Sequence, residues 1–313
     1  MCCDAATATP DPLASQGSVP RYRLAHLSDP HLAPLPRPPW TSLVSKRAFG
    51  YVNWVKNRGA ALGRTTVDAL TADMANAAPD HIAVTGDLVN IALAAEYTAA
   101  ARWLQSLGAG DDVTVVPGNH DAYVPGALAR ATEAWRDNIR SDDGAVHFPL
   151  LRRRGPLAII GLSTAIATPP AFATGTVGAA QRDIAARLLD ENDDAIKVML
   201  IHHPPDQTLA PGRRRLTDHA AVRDLIAEGG ADVVLHGHTH EPSLTTIDTV
   251  RGPCAVIGVP SASSAGTKHP HASYLLLDWS DSDRTLRATR RGFAAQEKKV
   301  QHLETLDLSF MRR

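Results

Sequence analysis

Short apolar runs alternate with amphipathic stretches along most of this chain, and several of the apolar runs stop at a cluster of Gly, Asp, Asn or His. Residues 22–27 form the first run, which ends at Ser28-Asp29-Pro30-His31. Residues 65–78 follow helical spacing and are closed by Pro79. The spacing then predicts a strand over 80–85 ending in Gly86-Asp87, a helix over 92–107, a strand over 112–116 ending in Pro117-Gly118-Asn119-His120-Asp121, and a helix over 127–139. A strand over 157–162 and a helix over 179–189 come next. A strand over 195–201 runs into His202-His203-Pro204-Pro205. A helix over 220–228 precedes a strand over 232–235 that ends in His236-Gly237-His238-Thr239-His240. Residues 254–259, 273–279 and 285–291 read as strands with no helix between them. Alternating strands and helices imply an α/β sheet, and the late strands an antiparallel extension of it.

Two regions depart from this pattern. Residues 1–20 hold acids and prolines but no apolar core, which predicts a disordered tail and not a signal peptide. Residues 40–64 mix aromatic and basic side chains: Trp40, Lys46, Arg47, Phe49, Tyr51, Trp54, Lys56 and Arg58. Helical spacing places Val44, Ala48, Tyr51, Val52 and Val55 on one face. The expectation is a cap whose aromatic face packs on the core; the alternative is peripheral contact with a membrane surface or a lipid-linked phosphate. With no internal repeat and no boundary after residue 20, residues 21–313 read as one domain carrying the 40–64 insert.

Composition narrows the function classes. A formal net charge of −1 leaves no electrostatic footprint for duplex nucleic acid. No apolar stretch approaches the length of a membrane span, so the cytoplasm is the expected location. Cys2, Cys3 and Cys254 form neither a disulfide framework nor a zinc ribbon, and oligomeric state is not legible. The chain holds 14 His against 5 Phe, 5 Tyr and 5 Trp, which directs attention to metal ligands.

Taken singly, Asp29-x-His31 and Gly86-Asp87 are ordinary turn sequences. Gly118-Asn119-His120-Asp121 is more specific, and His202 and Gly237-His238-Thr239-His240 add imidazoles at further strand ends, where open α/β sheets bind ligands. In this order the motifs resemble those of the calcineurin-like metallophosphoesterase superfamily, over roughly residues 22–279. The resemblance implies an α/β fold, a four-layer α-β-β-α sandwich of two mixed sheets flanked by helices. It also implies two divalent metal ions, with Mn, Fe, Zn and Co all compatible with the mixed N/O donors. Asp29, His31 and His240 are then expected at the first ion and Asn119, His202 and His238 at the second. Asp87 is expected to give one oxygen to each, with a water or hydroxide held between the ions as nucleophile.

By the same resemblance His120 is expected to face the substrate as a catalytic group, with Asp121 bonding its other ring nitrogen to fix the tautomer. His202 precedes His203 as ligand by motif position, leaving His203 as a candidate substrate contact. Arg213, in the run 213–215 after the His202 loop, is a second candidate; the run 152–154 is either substrate-facing or simply solvated. His236 reads as a satisfied buried histidine, and Gly118 and Gly237 as places where the backbone bends tightly.

Two divalent ions less Asp29, Asp87 and a hydroxide leave one positive charge, which matches a phosphodiester monoanion. The string Leu200-Ile201-His202-His203-Pro204-Pro205 and the chain length resemble the bacterial class III cyclic-nucleotide phosphodiesterase branch. The expected activity is hydrolysis of cyclic nucleotides or similar small phosphodiesters. The alternative is a hydrolase of a lipid-linked phosphate, such as a nucleotide-diphosphate lipid. A non-catalytic scaffold of the same fold should show gaps among the ligand positions, and none is seen.

Overall fold

In the computed structural model, which describes residues 21–55, 64–280, 285–295, 297 and 299–311, the apolar runs are strands whose alternate residues face opposite sides. The expected tail, Cys2, Cys3 and residues 56–63 of the insert lie outside the described residues. In chain order the elements are β1 (Arg21–Leu27), α1 (Arg47–Asn53), α2 (Arg64–Asn76), β2 (His81–Val84), α3 (Ala94–Leu107), β3 (Val113–Val115), α4 (Ala127–Ala134) and α5 (Arg136–Ile139). There follow β4 (Leu150–Arg154), β5 (Leu157–Gly161), α6 (Ala179–Glu191), β6 (Ile196–Leu200), α7 (His219–Gly229), β7 (Val233–His236), β8 (Ser243–Thr249), β9 (Gly252–Gly258), β10 (Ser273–Ser280), β11 (Thr285–Phe293) and β12 (Val300–Leu306).

Two mixed six-stranded sheets result, in the orders β12-β11-β10-β1-β2-β3 and β4-β5-β6-β7-β9-β8. In the first, β1, β2 and β3 are parallel and β10 pairs antiparallel with β1. In the second, β5, β6, β7 and β9 are parallel, with β4 and β8 antiparallel at the edges. Leu24, Ile159, Val198, Leu200, Val233, Leu235, Ala255, Ile257, Leu275 and Leu277 pack together between the sheets. Their strand neighbours point the other way. Ala25, Leu27, Tyr274 and Leu276 meet α2, α3 and α4, while Ile160, Met199, Val234 and Val256 meet α6 and α7. A strand buried on both faces needs no polar alternation, which is why these segments read as continuous apolar runs. The layers are α-β-β-α.

The sequence pattern missed three strands. β4 is the arginine run, β8 is rich in Thr, and β12 is an edge strand of mixed polarity. The helix expected over 127–139 is two helices, broken where Trp135 takes φ −114° and ψ 24°. The strand expected over 254–259 is β9, which lies between β7 and β8 and runs parallel to β7.

The arginine run faces neither substrate nor open solvent alone. Arg152 is fully buried and donates to the carbonyls of Gly110, Val113, Asp137 and Arg140. Arg153 pairs with Asp194 and Arg154 with Asp142. Lys197 is likewise buried, and its ammonium donates to the Leu189 and Gly229 carbonyls at the C-terminal ends of α6 and α7, where the helix dipoles favour a cation. That contact ties both helices to β6, the strand leading to His202.

In the insert, Tyr51 and Trp54 pack against Leu35, Ile91 and Leu93. Of the face expected from spacing, Tyr51 packs inward and Ala48 is half-buried, while Val44, Val52 and Val55 are exposed, as is Phe49. Arg47, at the start of α1, reaches the Ile91 and Ala92 carbonyls at 2.9 and 2.7 Å.

Candidate active site

Each motif sits just past the C-terminal end of a parallel strand: Asp29 and His31 after β1, Asp87 after β2, Asn119 after β3, His202 after β6, His238 and His240 after β7. The loops turn back sharply at those points. Asp29, His31, Asp87, His238 and His240 all take positive φ, between 38° and 68°. Such conformations cost L residues about 1–3 kcal/mol each and persist only where the surroundings impose them. Gly118 and Gly237 were expected at tight bends, but what they supply is space. A Cβ on Gly118 would strike Asp87 Oδ1, and one on Gly237 would strike Ser28 Oγ and Asp29 Oδ2.

Two donor clusters form. In the first, His240 Nε2 lies 3.1 Å from Asp29 Oδ1 and 3.4 Å from His31 Nε2. In the second, Asn119 Oδ1 lies 2.9 Å from His238 Nδ1 and 3.2 Å from His202 Nε2. Asp87 Oδ2 stands between them, 3.9 Å from His31 Nε2 and 3.4 Å from His202 Nε2. Both of these contacts are made by the same oxygen of Asp87. Asp87 Oδ1 is engaged elsewhere, accepting the His120 backbone N–H at 2.7 Å.

The outer nitrogens of the histidines fix their tautomers. His202 Nδ1 lies 2.6 Å from the Thr85 carbonyl, His238 Nε2 lies 2.9 Å from the Arg214 carbonyl, and His31 Nδ1 lies 3.4 Å from the Val89 carbonyl. A carbonyl only accepts, so these nitrogens carry hydrogen, and in a neutral ring the opposite nitrogen presents a lone pair to its cluster. Lone pairs of His202 and His238 then converge on an amide oxygen. Such a set suits a cation placed among them, and the mixed imidazole, carboxylate and carboxamide donors suit divalent ions.

The charges are strongly perturbed. Burial alone would raise the Asp29 carboxyl, yet His240 and His202 hold it well below the usual range. Asp87 is likewise held down, against its burial, by His202, His120 and His31. Burial opposes the charged form of His202, but the Asp87 carboxylate raises it to about 9. Burial and the two neighbouring imidazoles of His203 and His202 push His238 far down.

His120 donates from Nδ1 to the Asn90 carbonyl at 2.5 Å, and its ring stacks on Tyr123. The expected His120–Asp121 bond is replaced by this one. Asp121 is a buried clamp whose two oxygens accept backbone N–H groups of Asp87, Leu88, Val89 and Gly118 at 2.8–3.1 Å. Burial and the Asp87 charge push its carboxyl up to about 8, while the Gly118 and Val89 donors pull the other way. Glu96, at the start of α3, accepts the backbone N–H groups of Asn90, Ile91 and Leu93 and so sets the carbonyl that His120 uses.

His203 is turned away from the cavity. Its Nδ1 meets Thr164 Oγ1 at 2.7 Å and its Nε2 the Ala173 carbonyl at 3.0 Å, and burial beside His202 lowers it to about 3. Arg213 lies over the Phe172 ring, and its neighbour Arg214 lines the cavity instead. His236 is buried with Nδ1 on the Gly237 carbonyl, as expected.

The cavity beside the clusters measures about 290 Å³ and is lined by Asp87, Asn119, His120, His238 and His240. Asn53 of the insert, Arg214, Lys268 and His269 also line it. Arg214 belongs to the run 213–215 and Asn53 to the 40–64 insert, both singled out in the sequence, whereas Lys268 and His269 were not. Lys268 and His269 belong to a Ser-rich loop after β9, a parallel strand whose C-terminal end was a place to look.

Residues 22–242 match the calcineurin-like phosphoesterase family. Among solved structures, a dimetal phosphatase from Danio rerio superposes with a TM-score of 0.59 at 13% identity, covering 91% of this chain and 98% of that chain. The purple acid phosphatase PPD1 from yellow lupin (Lupinus luteus) seeds superposes with a TM-score of 0.59 at 10% identity, covering 94% of this chain and 55% of that one. This chain thus spans about half of the lupin protein, and at such identities the likeness is one of fold. No curated protein matches.

Proposed function

The chain belongs to the calcineurin-like phosphoesterase family, whose members use two divalent metal ions, and from that premise we propose that it is a binuclear phosphodiesterase acting on cyclic nucleotides or similar small phosphodiesters. The observation that carries this reading is the pair of donor clusters meeting at Asp87 Oδ2. Asp29, His31 and His240 would hold one ion, Asn119, His202 and His238 the other, and Asp87 both. The ions, when bound, supply Lewis acidity and a water acidic enough to attack phosphorus at neutral pH.

The chain's own residues do the rest. The Asn90 carbonyl keeps hydrogen on His120 Nδ1, so Nε2 serves the cavity that the ring lines. In its imidazolium form that nitrogen donates to a phosphoryl or leaving-group oxygen as negative charge builds there. Arg214 and Lys268 add positive charge to the mouth, and the ligand count leaves one net positive charge, a match for a diester monoanion.

The test is a substrate panel on metal-loaded protein: cyclic AMP, bis(p-nitrophenyl) phosphate, p-nitrophenyl phosphate and a nucleotide-diphosphate lipid. Diester turnover exceeding monoester turnover is expected. Full metal loading with no turnover of any diester overturns the reading. A second reading, hydrolysis of a lipid-linked phosphoester, is favoured by one observation: Asn53, which lines the cavity, comes from an insert whose outer face is apolar and exposed.

A further inference from the structure

The insert beside the cavity is anchored by one side and bare on the other. Tyr51 and Trp54 pack inward, Arg47 bonds the Ile91 and Ala92 carbonyls, and Lys46 bonds Thr168 Oγ1 and the Phe172 carbonyl at 2.8 and 3.2 Å. Outward stand Trp40, Val44, Phe49, Val52 and Val55, exposed by 78%, 80%, 68%, 50% and 58%. These five, with Phe172, are six of the eight exposed large hydrophobic side chains among the described residues. Isolated surface hydrophobics are ordinary; this concentration beside one cavity mouth is not.

Charge identifies the occupant. From Pro30 to Val67 the sequence contains Arg37, Lys46, Arg47, Lys56, Arg58 and Arg64 and no Asp or Glu, in a chain with 33 acidic residues overall. The apolar surface continues through Phe172 to the exposed Arg213, whose guanidinium lies 5.1 Å from that ring, and on to Arg214 at the cavity. Apolar side chains including a bare Trp, on a segment whose sequence is basic without acidic residues and with Arg37, Arg213 and Arg214 exposed, are suited to an interface that is apolar within and anionic at its surface.

We propose that the face formed by Trp40, Val44, Phe49, Val52 and Phe172 docks on an anionic lipid bilayer and holds the cavity mouth at its surface. The apolar side chains enter the headgroup boundary while exposed basic residues such as Arg37 and Arg213 meet lipid phosphates. The consequence for substrate, a phosphoester carried on a lipid, rests on the phosphoesterase reading above; the docking itself does not.

The experiment is co-sedimentation of the full chain with vesicles of phosphatidylcholine alone and of phosphatidylcholine with phosphatidylglycerol. It is repeated at raised salt and with the double variant Trp40→Ser/Phe49→Ser. Wild type should pellet with the anionic vesicles and be partly released by salt. The variant should partition at least about tenfold less, because each buried aromatic contributes on the order of a factor of ten, and it should keep wild-type turnover of bis(p-nitrophenyl) phosphate. Wild type remaining in the supernatant with anionic vesicles, or the variant pelleting equally, overturns the docking. A dimer lost in the variant, without vesicle binding, assigns the face to a second copy and also overturns it. Vesicle binding with no diester turnover leaves docking intact and removes the functional reading instead.

Discussion

The backbone N–H of His120 donates to Asp87 Oδ1 at 2.7 Å, and that contact decides which oxygen of Asp87 faces the donor clusters. Asp29 is arranged in the same way. Its Oδ2 accepts the His238 backbone N–H at 2.9 Å and the Ser28 hydroxyl at 2.6 Å, while Oδ1 faces His240. Each carboxylate is tied through one oxygen to the backbone of another motif, so the motifs position one another.

Asn119 and His120 are adjacent, but the geometry separates their roles. Asn119→Ala removes the oxygen on which His238 and His202 converge, and metal content should fall from two ions toward one by elemental analysis. His120→Ala should keep both ions and lose turnover by about 10²–10⁴-fold, the usual contribution of a general acid. The His120 ring also lies within reach of the His31 and Asp87 donor atoms, so metal loss in this variant would make it a ligand.

Asp121 distinguishes a clamp from a tautomer-setting partner. Replacing it by Ala leaves four buried backbone donors without their acceptor, at roughly 1–3 kcal/mol for each left unsatisfied. Thermal denaturation should show a large loss of stability, and metal affinity should fall with it. Reduced turnover at unchanged melting temperature would restore the tautomer role.

Arg152 and its neighbours should part sharply. Arg152→Ala leaves a set of buried carbonyls without their donor and should cost roughly 1–3 kcal/mol for each left unsatisfied, read in denaturant unfolding. Arg153→Ala breaks an exposed pair with Asp194 and should cost under about 1 kcal/mol. Equal effects would show that β4 is held by surface charge.

His81 should make the fold sensitive to acid. Burial, reinforced by Arg152 and Arg154, lowers it to about 3 from 6.5. Between those values the unfolded chain binds a proton that the folded chain does not, so stability is full above about pH 6.5 and declines as pH falls toward 3. One such group contributes a slope of about 1.4 kcal/mol per pH unit. His81→Gln, which retains a polar partner for Thr114 Oγ1, should flatten the stability profile by about that amount. An unchanged slope between pH 6 and 4 would place the acid sensitivity elsewhere, for example at His26, which burial also lowers to about 3.

The sequence by itself determined the α/β order and the donor set, because strands buried on both faces show as unbroken apolar runs and the motif residues have no packing purpose where those runs end. β4, β8 and β12 were not legible, since edge strands carry polar side chains and are specified by their partners. Nor was the identity of the oxygen Asp87 presents, the partner of His120, or the burial of Arg152 and His203. Each depends on which backbone carbonyl or N–H arrives from another segment of the chain, as Asn90 does for His120 and Ala173 for His203. The two sheets meet face to face only after folding, and His202 then reaches the Thr85 carbonyl 117 positions earlier. Residue types set which chemistry is available; the packing of the two sheets decides which atom of each residue performs it.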